Sequence, residues 1–417
     1  MKAMKLGLVV MVTFLLITGI DAFAQTFHSG GVGECAGCHS MHSPKTGGTF
    51  LLVGTDQSST CLICHQRSGD TGPTTFHIST DTADMPSGTP PKQRTPGGDF
   101  GWLKKAYSFL VDGNTINESG DSHGHNIVAV DFGYAAESNV PANRTTFPAA
   151  QLSCISCHDP HGQYRRLSTG AISLSGAPII DSGSYDTSLV PSTGQAVGVY
   201  RLLAGNGYAK GGITFAGVPA ALTPSSYNRT EASNQTRTAY GHATGGGHVA
   251  WGTWCSTCHP NMHSNGNYVH AVDETLGGTI KGIYDRYKKS GDLGGINSTA
   301  FTSLVPFVEN TADYTVLASH AKSNDTYLNG PGDNDRVSCI SCHRAHASGW
   351  ENTLRWKMEG EFMVYNSLYP GTDTTPLVPQ FHRGRTSAET QAAYYDRPVT
   401  VFASYQRILC NKCHAKD

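Results

Sequence analysis

The stretch that decides the fold is ECAGCHSMHS, residues 34–43, which holds two cysteines and two histidines within eight positions. Its CxxCH pattern occurs six times and accounts for all 12 cysteines of the 417-residue chain. We number these motifs 1 to 6 along the chain: Cys35, Cys38 and His39; Cys61, Cys64 and His65; Cys154, Cys157 and His158; Cys255, Cys258 and His259; Cys339, Cys342 and His343; Cys410, Cys413 and His414.

The spacing within each motif has a chemical cause. Two thiols on one helical turn can each form a thioether with a vinyl group of the same haem, and the next residue then places an imidazole beneath the iron. Six disulfides would need no histidine after each cysteine pair, and six zinc sites would be unusual in an exported chain. The pattern predicts six covalently attached c-type haems, each with the motif histidine as its proximal ligand.

The second axial ligand of each iron is also expected to be a histidine. Of the 19 histidines, six belong to the motifs, and the chain beyond residue 24 has only five methionines. Bis-histidine ligation gives lower reduction potentials than methionine–histidine ligation, and it leaves no open position for a substrate. The candidates for the distal ligand are His28, His42, His77, His125, His161, His270, His320 and His346.

His42 cannot complete the haem of its own motif. The three residues beyond His39 reach about 10 Å when fully extended, which leaves no length for the turn around the macrocycle. The same limit applies to His161 after motif 3 and to His346 after motif 5. Each of these histidines serves a different haem or is a surface residue. In the first case, neighbouring haems must lie close together.

The first residues predict export. Lys2 and Lys5 precede an apolar run from Leu6 to Ile20, and Ala22-Phe23-Ala24 matches a small-x-small cleavage site. This layout is typical of a secretory signal peptide over residues 1–24, with a retained anchor as the alternative. The run is short for a membrane span. We expect residues 25–417 to form a single hexahaem domain, secreted and with no membrane span.

The composition favours a chain of loops. It contains 48 glycines and 20 prolines, and few segments have a sustained hydrophobic period. We expect a multihaem c-type cytochrome that is mostly coil, with a few short α or 3-10 helices and minor β structure. Stacked haems would form its core, because their apolar faces replace missing aliphatic area. Helices are predicted within residues 277–291, where Ile280, Ile283, Tyr284 and Tyr287 share one face, and within residues 312–322. A capping box between Thr386 and Glu389 predicts a helix within residues 386–395, and residues 401–414 are predicted to continue as a helix into motif 6.

The charge pattern excludes one class of partner. The formal net charge is −2 at pH 7, and the sequence has no clustered basic face of the kind that nucleic-acid binding requires. We therefore expect no nucleic-acid partner.

Ten further segments are distinctive, and they are spread in order across essentially the whole chain after the leader. They are FHSGGV, ADMPSGT, TPGGDFGW, GHNIVA, CHDPHG, YNRTEA, YKKSGDL, TADYTVL, CHRAHASG and CNKCHAKD. These segments resemble one family, the OmcS-like hexahaem outer-surface cytochromes of metal-reducing bacteria. The stretch HATGGGHVAWGT, residues 242–253, departs from the family pattern as a longer loop, and His382 has no counterpart in that pattern.

The resemblance implies a filament in which all six haems are bis-histidine ligated and stacked in one continuous row. It implies that His42 binds haem 5, the haem of His343, in the adjacent subunit. The expected function is extracellular electron transfer from respiration to acceptors such as Fe(III) oxides or partner cells, on the outer cell surface. Other outer-surface or periplasmic cytochromes are expected partners.

Two other functions compete with this one. A monomeric shuttle would use the same haems without polymerising. A multihaem reductase of small molecules such as nitrite would need one iron with a vacant face, and such enzymes sometimes carry a CxxCK motif, which this sequence lacks. The chain is therefore expected to be an electron carrier and not an enzyme.

Overall fold

The computed structural model of the chain describes residues 35–45, 50–66, 72–138, 145–262 and 270–414. The predicted signal peptide and the candidate ligand His28 lie outside these residues. Among the residues described, no helix is both long enough and apolar enough to cross a membrane.

Helices in the described residues are short, and the longest has 10 residues. The α-helices are α1 (Cys35–Cys38), α2 (Gln57–His65), α3 (Trp251–Ser256), α4 (Gly277–Arg286), α5 (Tyr314–His320), α6 (Cys339–Cys342), α7 (Pro379–His382) and α8 (Ser387–Ala393). The 3-10 turns are Thr82–Asp84, Phe100–Lys104, Gly120–His123, Val130–Phe132, Ala149–Gln151, Cys154–Ser156, Tyr200–Leu202, Pro260–Met262, Asn297–Thr299, Glu351–Thr353, Val399–Val401 and Leu409–Lys412.

Strands form small sheets of two or three members. They are β1 (Tyr107–Val111), β2 (Asn114–Glu118), β3 (Arg165–Leu167), β4 (Ile172–Ser173), β5 (Ala196–Gly198), β6 (Ala209–Lys210), β7 (Ile213–Thr214), β8 (Ala220–Leu222), β9 (Ala239–Gly241), β10 (Val308–Glu309), β11 (Phe362–Val364) and β12 (Gln406–Arg407). The sheet orders are β1-β2, β4-β3-β5, β6-β7, β10-β9-β8 and β11-β12. Pairing is antiparallel except between β9 and β10, which is parallel.

The β1–β2 hairpin is the most regular of these elements. Its two-residue turn, Asp112-Gly113, has φ of 49° and 78°, as a type I′ turn requires. Tyr107 pairs with Glu118 at the open end of the hairpin.

Three of the four helix predictions are confirmed. Helix α4 carries the predicted Ile and Tyr face but ends at Arg286, because Tyr287 is already extended. Helix α5 lies within the predicted segment, and its N-cap Asp313 accepts from the backbone N–H groups of Thr315 and Val316. Helix α8 begins with the predicted capping box between Thr386 and Glu389.

The prediction for residues 401–414 is wrong. This segment contains β12 and a 3-10 turn at Leu409–Lys412 instead of a continuous helix. The strand forms because Gln406 and Arg407 pair with β11. The buried Gln406 amide also donates to the Tyr287 hydroxyl at 2.7 Å, a contact that a helical backbone would not present.

Aromatic side chains form apolar clusters that the composition did not predict. The largest apolar cluster includes Trp102, Tyr284, Phe307, Trp350 and Tyr394, all less than 6% exposed. A second cluster gathers residues of β8, β9, β10 and α3 with their neighbours. Side chains therefore supply several apolar cores between the loops, in addition to any apolar area that cofactors contribute.

We expect Thr386→Ala to lower the free energy of unfolding by about 1 kcal/mol. The Thr386 hydroxyl accepts from the Glu389 N–H at 3.2 Å and donates to the Gly88 carbonyl at 2.9 Å. Guanidinium unfolding followed by circular dichroism measures the change. Thr386→Ser, which keeps the hydroxyl, is the control and should lose less. Equal stability of the Ala variant and the wild type would contradict this role of the cap.

Candidate metal centres

Each CxxCH motif forms a helical turn that presents free thiols. The backbone N–H of His343 donates to the Cys339 carbonyl at 2.9 Å, and His158 makes the same contact with Cys154 at 3.0 Å. None of the 12 cysteines, all of them described, forms a disulfide. The thiols are therefore available for covalent attachment, and the disulfide alternative finds no support.

The six motifs follow one another in space in their sequence order. Two steps bring the first cysteines of successive motifs close enough for their thiols to interact directly: Cys61 with Cys154, and Cys255 with Cys339.

The remaining three steps bring second cysteines within electrostatic reach: Cys38 with Cys64, Cys157 with Cys258, and Cys342 with Cys413. Burial is the main cause of the raised pKa of Cys38, Cys157 and Cys342, and the neighbouring thiol adds to it. The motifs thus form a single row in which two modes of contact alternate.

Backbone carbonyls fix the orientation of the motif imidazoles. A carbonyl can only accept, so each contacting Nδ1 must carry the proton, which leaves the Nε2 lone pair for a metal. The contacts are His39 Nδ1 to Phe50 O (2.7 Å), His65 to Phe76 O (2.9 Å), His158 to Arg201 O (2.7 Å) and His343 to Asn352 O (2.7 Å). Burial lowers the pKa of His65, His158 and His343, which favours the neutral ligand form.

Motifs 1, 3 and 5 share one local structure that the sequence analysis did not find. In each, a segment later in the chain folds back onto the motif. The motif histidine forms an isolated β-bridge with a leucine of that segment, and this leucine lies two residues after the residue whose carbonyl accepts the hydrogen bond from the imidazole. The bridges are His39 with Leu52, His158 with Leu203 and His343 with Leu354. The residue before each leucine has positive φ: Leu51 (49°), Leu202 (53°) and Thr353 (60°). The short sequences FLL, RLL and NTL were the available signal.

Four imidazole pairs have the spacing that one metal ion requires. Two imidazoles bound to opposite sides of an ion through bonds of about 2 Å have ring centroids about 6.4 Å apart. The observed separations are 6.5 Å for His39 and His161, 6.3 Å for His158 and His346, 5.9 Å for His125 and His259, and 6.3 Å for His270 and His414. Each pair joins a motif histidine to one of the predicted distal candidates.

The pairing pattern repeats every two motifs along the chain. His161, which follows motif 3, lies opposite the histidine of motif 1, and His346, which follows motif 5, lies opposite that of motif 3. His125 precedes motif 3 and lies opposite His259 of motif 4, while His270 precedes motif 5 and lies opposite that of motif 6. The same arrangement is therefore repeated along the row.

Motif 5 has no such partner within the described residues. His259 and His270, whose charges add to the burial that lowers the pKa of His343, each belong to another pair. At the other end of the row, the imidazole of His42 is exposed, and so is the neighbouring Met41 side chain (81%).

Two other distal candidates have different surroundings. His77 is buried beside Phe76, and its charge acts on His65. His320 Nδ1 donates to the Glu309 carboxylate (Oε2) at 2.5 Å, and the His320 ring stacks on Tyr327 at 4.0 Å. No described CxxCH histidine lies in ring contact with His320, so we leave it out of the ligand set proposed below.

Buried guanidinium groups suit an anionic cofactor. Arg166, Arg344 and Arg355 are buried and Arg201 is half-buried, yet none of them forms an ion pair with a described carboxylate. Buried N–H groups of Arg166, Arg201 and Arg344 have no hydrogen-bond partner. Since buried charges are normally paired, these residues fit a group that brings its own carboxylates, as haem does with its propionates. Free thiols, spaced imidazoles and unpaired guanidiniums together fit the predicted cofactor.

Glycines let three loops converge on two of the candidate distal histidines. His346 N–H donates to the Gly97 carbonyl (2.8 Å), and His125 Nδ1 donates to the Ala345 carbonyl (2.8 Å). Phe100 lies against the His346 ring at 4.7 Å. Gly98 has φ of 91°, and a Cβ there would lie 1.7 Å from the Ala347 carbonyl oxygen. The segments TPGGDFGW, GHNIVA and CHRAHASG therefore meet at a point that admits no side chain on Gly98.

We expect Gly98→Ala to displace His346 and His125 and so to disturb the two centres that contain His158 and His259. In the loaded protein, two of six haems should then lose their low-spin absorption. Gly113→Ala is the matched control, because Gly113 also has positive φ but has open space around it. The control should lose about 1–2 kcal/mol of stability and keep its spectrum. A wild-type spectrum in Gly98→Ala would show that the glycine contact does not position these ligands.

Comparison with known proteins agrees with this architecture. No protein-family model matches the chain. The chain is 49% identical to the C-type cytochrome OmcS of Geobacter sulfurreducens (strain ATCC 51573 / DSM 12127 / PCA), with 100% of both sequences covered.

Two solved structures are similar as well. The outer membrane cytochrome S filament from Geobacter sulfurreducens matches with a TM-score of 0.84 and 48% identity, over 94% of this chain and 100% of that chain. The structure described as cryo-EM of the OmcS nanowires from Geobacter sulfurreducens has the same TM-score and 47% identity, with the same coverage. The predicted resemblance and the predicted loop-rich fold are confirmed. The chain belongs to the OmcS family of c-type cytochromes, which hold haem c covalently.

Proposed function

We propose that this chain is a six-haem electron carrier that polymerises into a filament and transfers electrons outside the cell. The observation that carries the proposal is the single row of motifs. Near one end, the motif histidine His343 has no opposite imidazole among the described residues, and at the other end the candidate ligand His42 is exposed. The OmcS relatives are described as filaments and nanowires.

We propose bis-histidine ligation at all six irons. Four pairs are those with the metal-compatible spacing given above. The repeat supplies the other two, because a histidine before motif 3 serves motif 4 and one before motif 5 serves motif 6. By the same pattern, His28, which precedes motif 1, binds the iron held by His65 of motif 2, and His77 is the alternative ligand.

The repeat also extends to the next copy of the chain. A histidine that follows an odd motif serves the odd motif two places earlier. For motif 1 no earlier motif exists in the same chain, so His42 binds the iron held by His343 of the neighbouring subunit. Each added copy then completes motif 5 of its neighbour and leaves its own motif 5 open for the next one.

Haem c, when bound, accepts and releases one electron at its iron. Burial favours the neutral form of a motif imidazole such as that of His158. The hydrogen bond from its Nδ1–H to a backbone carbonyl orients the ring so that Nε2 is free to bind the iron. Since both axial positions of every iron would be filled, no substrate can coordinate, which argues against a reductase. We further propose that residues 1–24 are a cleaved signal peptide and that residues 25–417 form one domain on the outer cell surface. There, other cytochromes supply electrons and extracellular Fe(III) oxides or partner cells accept them.

We expect His42→Ala to abolish filaments and to convert one haem in six to the high-spin form. The physical reason is that the iron at His343 loses its second imidazole. Negative-stain microscopy checks assembly, and absorption spectroscopy with carbon monoxide checks the vacant position, which should bind one equivalent per chain. Added imidazole should restore the low-spin spectrum without restoring filaments. A mass corresponding to six attached haems must be retained.

His320→Ala is the matched control, because His320 is a histidine outside the proposed ligand set. It should form filaments with six low-spin haems. Intact filaments of His42→Ala would contradict the intersubunit ligand, and a monomeric shuttle would then be the better interpretation. Carbon monoxide or nitrite binding to the wild-type protein would favour a reductase.

A pair of variants decides the ligand of motif 2. We expect His28→Ala to leave one haem high-spin and His77→Ala to leave all six low-spin, as measured by absorption and electron paramagnetic resonance. The reverse result would show that the repeat does not extend to motif 2.

A further inference from the structure

The loop of residues 242–250 lies within the stretch that departs from the family pattern. It connects β9 to α3, the helix that holds Cys255 of motif 4. Three successive glycines, residues 245–247, have φ of 86°, 58° and 85°, a region that glycine enters at little cost. The turn that they form brings the side chain of His248, which is only 7% exposed, between two other segments of the chain.

His248 contacts a carbonyl oxygen with each of its ring nitrogens. Nδ1 lies 3.0 Å from the Val218 carbonyl oxygen, and Nε2 lies 3.0 Å from the Gly170 carbonyl oxygen. A carbonyl oxygen can only accept a hydrogen bond, and a neutral imidazole has a single N–H group. Both contacts are hydrogen bonds only when both nitrogens carry a proton. The geometry therefore fits the imidazolium cation.

The neutral ring does not fit both contacts. One of its nitrogens would direct a lone pair at a carbonyl oxygen 3.0 Å away, which is a repulsive arrangement. A buried polar group that loses its partner also bears a desolvation cost. Histidine is the side chain whose charge normally changes between about pH 5 and pH 8, so the strength of these two contacts depends on pH within that range.

The backbone supports the two sides of His248 unequally. On one side, the Val218 N–H donates to the Gly247 carbonyl at 3.0 Å, and the Val249 N–H donates to the Val218 carbonyl at 3.2 Å. On the side of the β3–β4 turn, a single backbone hydrogen bond among the described residues joins the turn to the loop, from the Ile172 N–H to the Gly246 carbonyl at 2.8 Å. The contact with the turn is therefore the weaker of the two.

Two titratable groups on neighbouring elements face His248. The ring of Tyr314, on α5, has its centroid 6.1 Å from that of His248, and the guanidinium of Arg166, on β3, lies 3.7 Å from the centroid of the Tyr314 ring. Burial raises the pKa of Tyr314 to about 12, so this group stays neutral where histidine titrates. The positive charge of Arg166 favours release of a proton from His248.

Two further titratable residues on the same segments have other surroundings. Burial lowers the pKa of His242, the charge of Arg336 acts in the same direction, and the charge of Asp273 opposes both. Arg165 donates from Nη1 to a backbone carbonyl at 3.1 Å. Within the described residues, no hydrogen bond or ring contact joins His242 or Arg165 to the His248 side chain.

We propose that His248 is a proton-dependent clasp. Protonated, it donates to the carbonyls of Val218 and Gly170 and holds the loop of residues 242–250 against the β3–β4 turn. When it releases one proton to the solvent, it keeps the contact with Val218 and lets go of the turn. The clasp is closed at low pH and opens as the pH rises through the range in which histidine titrates. This inference rests on contacts within the polypeptide, and neither the haem content nor polymerisation enters it.

The test is hydrogen–deuterium exchange of the exported, haem-loaded protein, measured from about pH 5 to pH 8.5 and corrected for the intrinsic pH dependence of exchange. Protection of the Ile172 amide, which donates to the loop, should fall by about tenfold as the pH rises, as expected for the loss of one hydrogen bond. Protection of the Val218 amide should not change. The same profile is expected for His42→Ala, which separates this result from a failure of filament formation.

His248→Gln should give low protection of Ile172 at every pH, because glutamine has no titratable group. His242→Gln is the matched control, since it removes the other histidine of the loop, and it should keep the wild-type profile. The wild-type protein alone can overturn the proposal: Ile172 protection that does not change with pH, or an equal loss at Val218, contradicts the clasp. A pH transition that persists in His248→Gln, or disappears in His242→Gln, would assign it to another group.

Discussion

The short tether between a CxxCH motif and the histidine three residues beyond it is the constraint on which this architecture depends. The tether is too short to reach the opposite face of the haem on the same motif, so the histidine either serves another centre or is a surface residue. In the structure, His161 and His346 do lie opposite histidines of other motifs, at 6.5 and 6.3 Å. Each such pair brings a histidine of one motif region opposite the histidine of another, and the pairs recur along the row. The proposed filament makes the same pairing between chains.

Loops can hold this row because their backbone atoms are used as structural contacts. Carbonyls of returning segments orient the imidazoles of His39, His158 and His343. The cost is a residue with positive φ at the same place in each of the three units, such as Leu51, a conformation that disfavours an L-residue by about 1–2 kcal/mol. Gly98 allows a closer approach than any side chain would permit. Regular secondary structure is not needed where these contacts recur.

Charge is distributed in two ways in the interior. The buried Arg237 has a carboxylate of the same chain, whereas the buried Arg344 and the half-buried Arg201 have none among the described residues. Paired groups satisfy their own electrostatics, whereas unpaired ones need an anion from outside the polypeptide. The unpaired Arg201 is close enough to three histidines to affect their protonation. Burial lowers the pKa of His65, His158 and His346, and the positive charge of Arg201 lowers it further.

The sequence by itself determined the chemistry. The six CxxCH motifs and the surplus of histidines are read directly from it. The short chain between His39 and His42 also shows that His42 cannot bind the haem of its own motif. The sequence also determined helices with local signals, such as the capping box at Thr386. Only the tertiary structure decided which imidazoles face each other, that the FLL, RLL and NTL segments return onto odd motifs, and that residues 401–414 pair as a strand. These features depend on contacts between residues far apart in the chain, and a local sequence pattern has no information about such contacts.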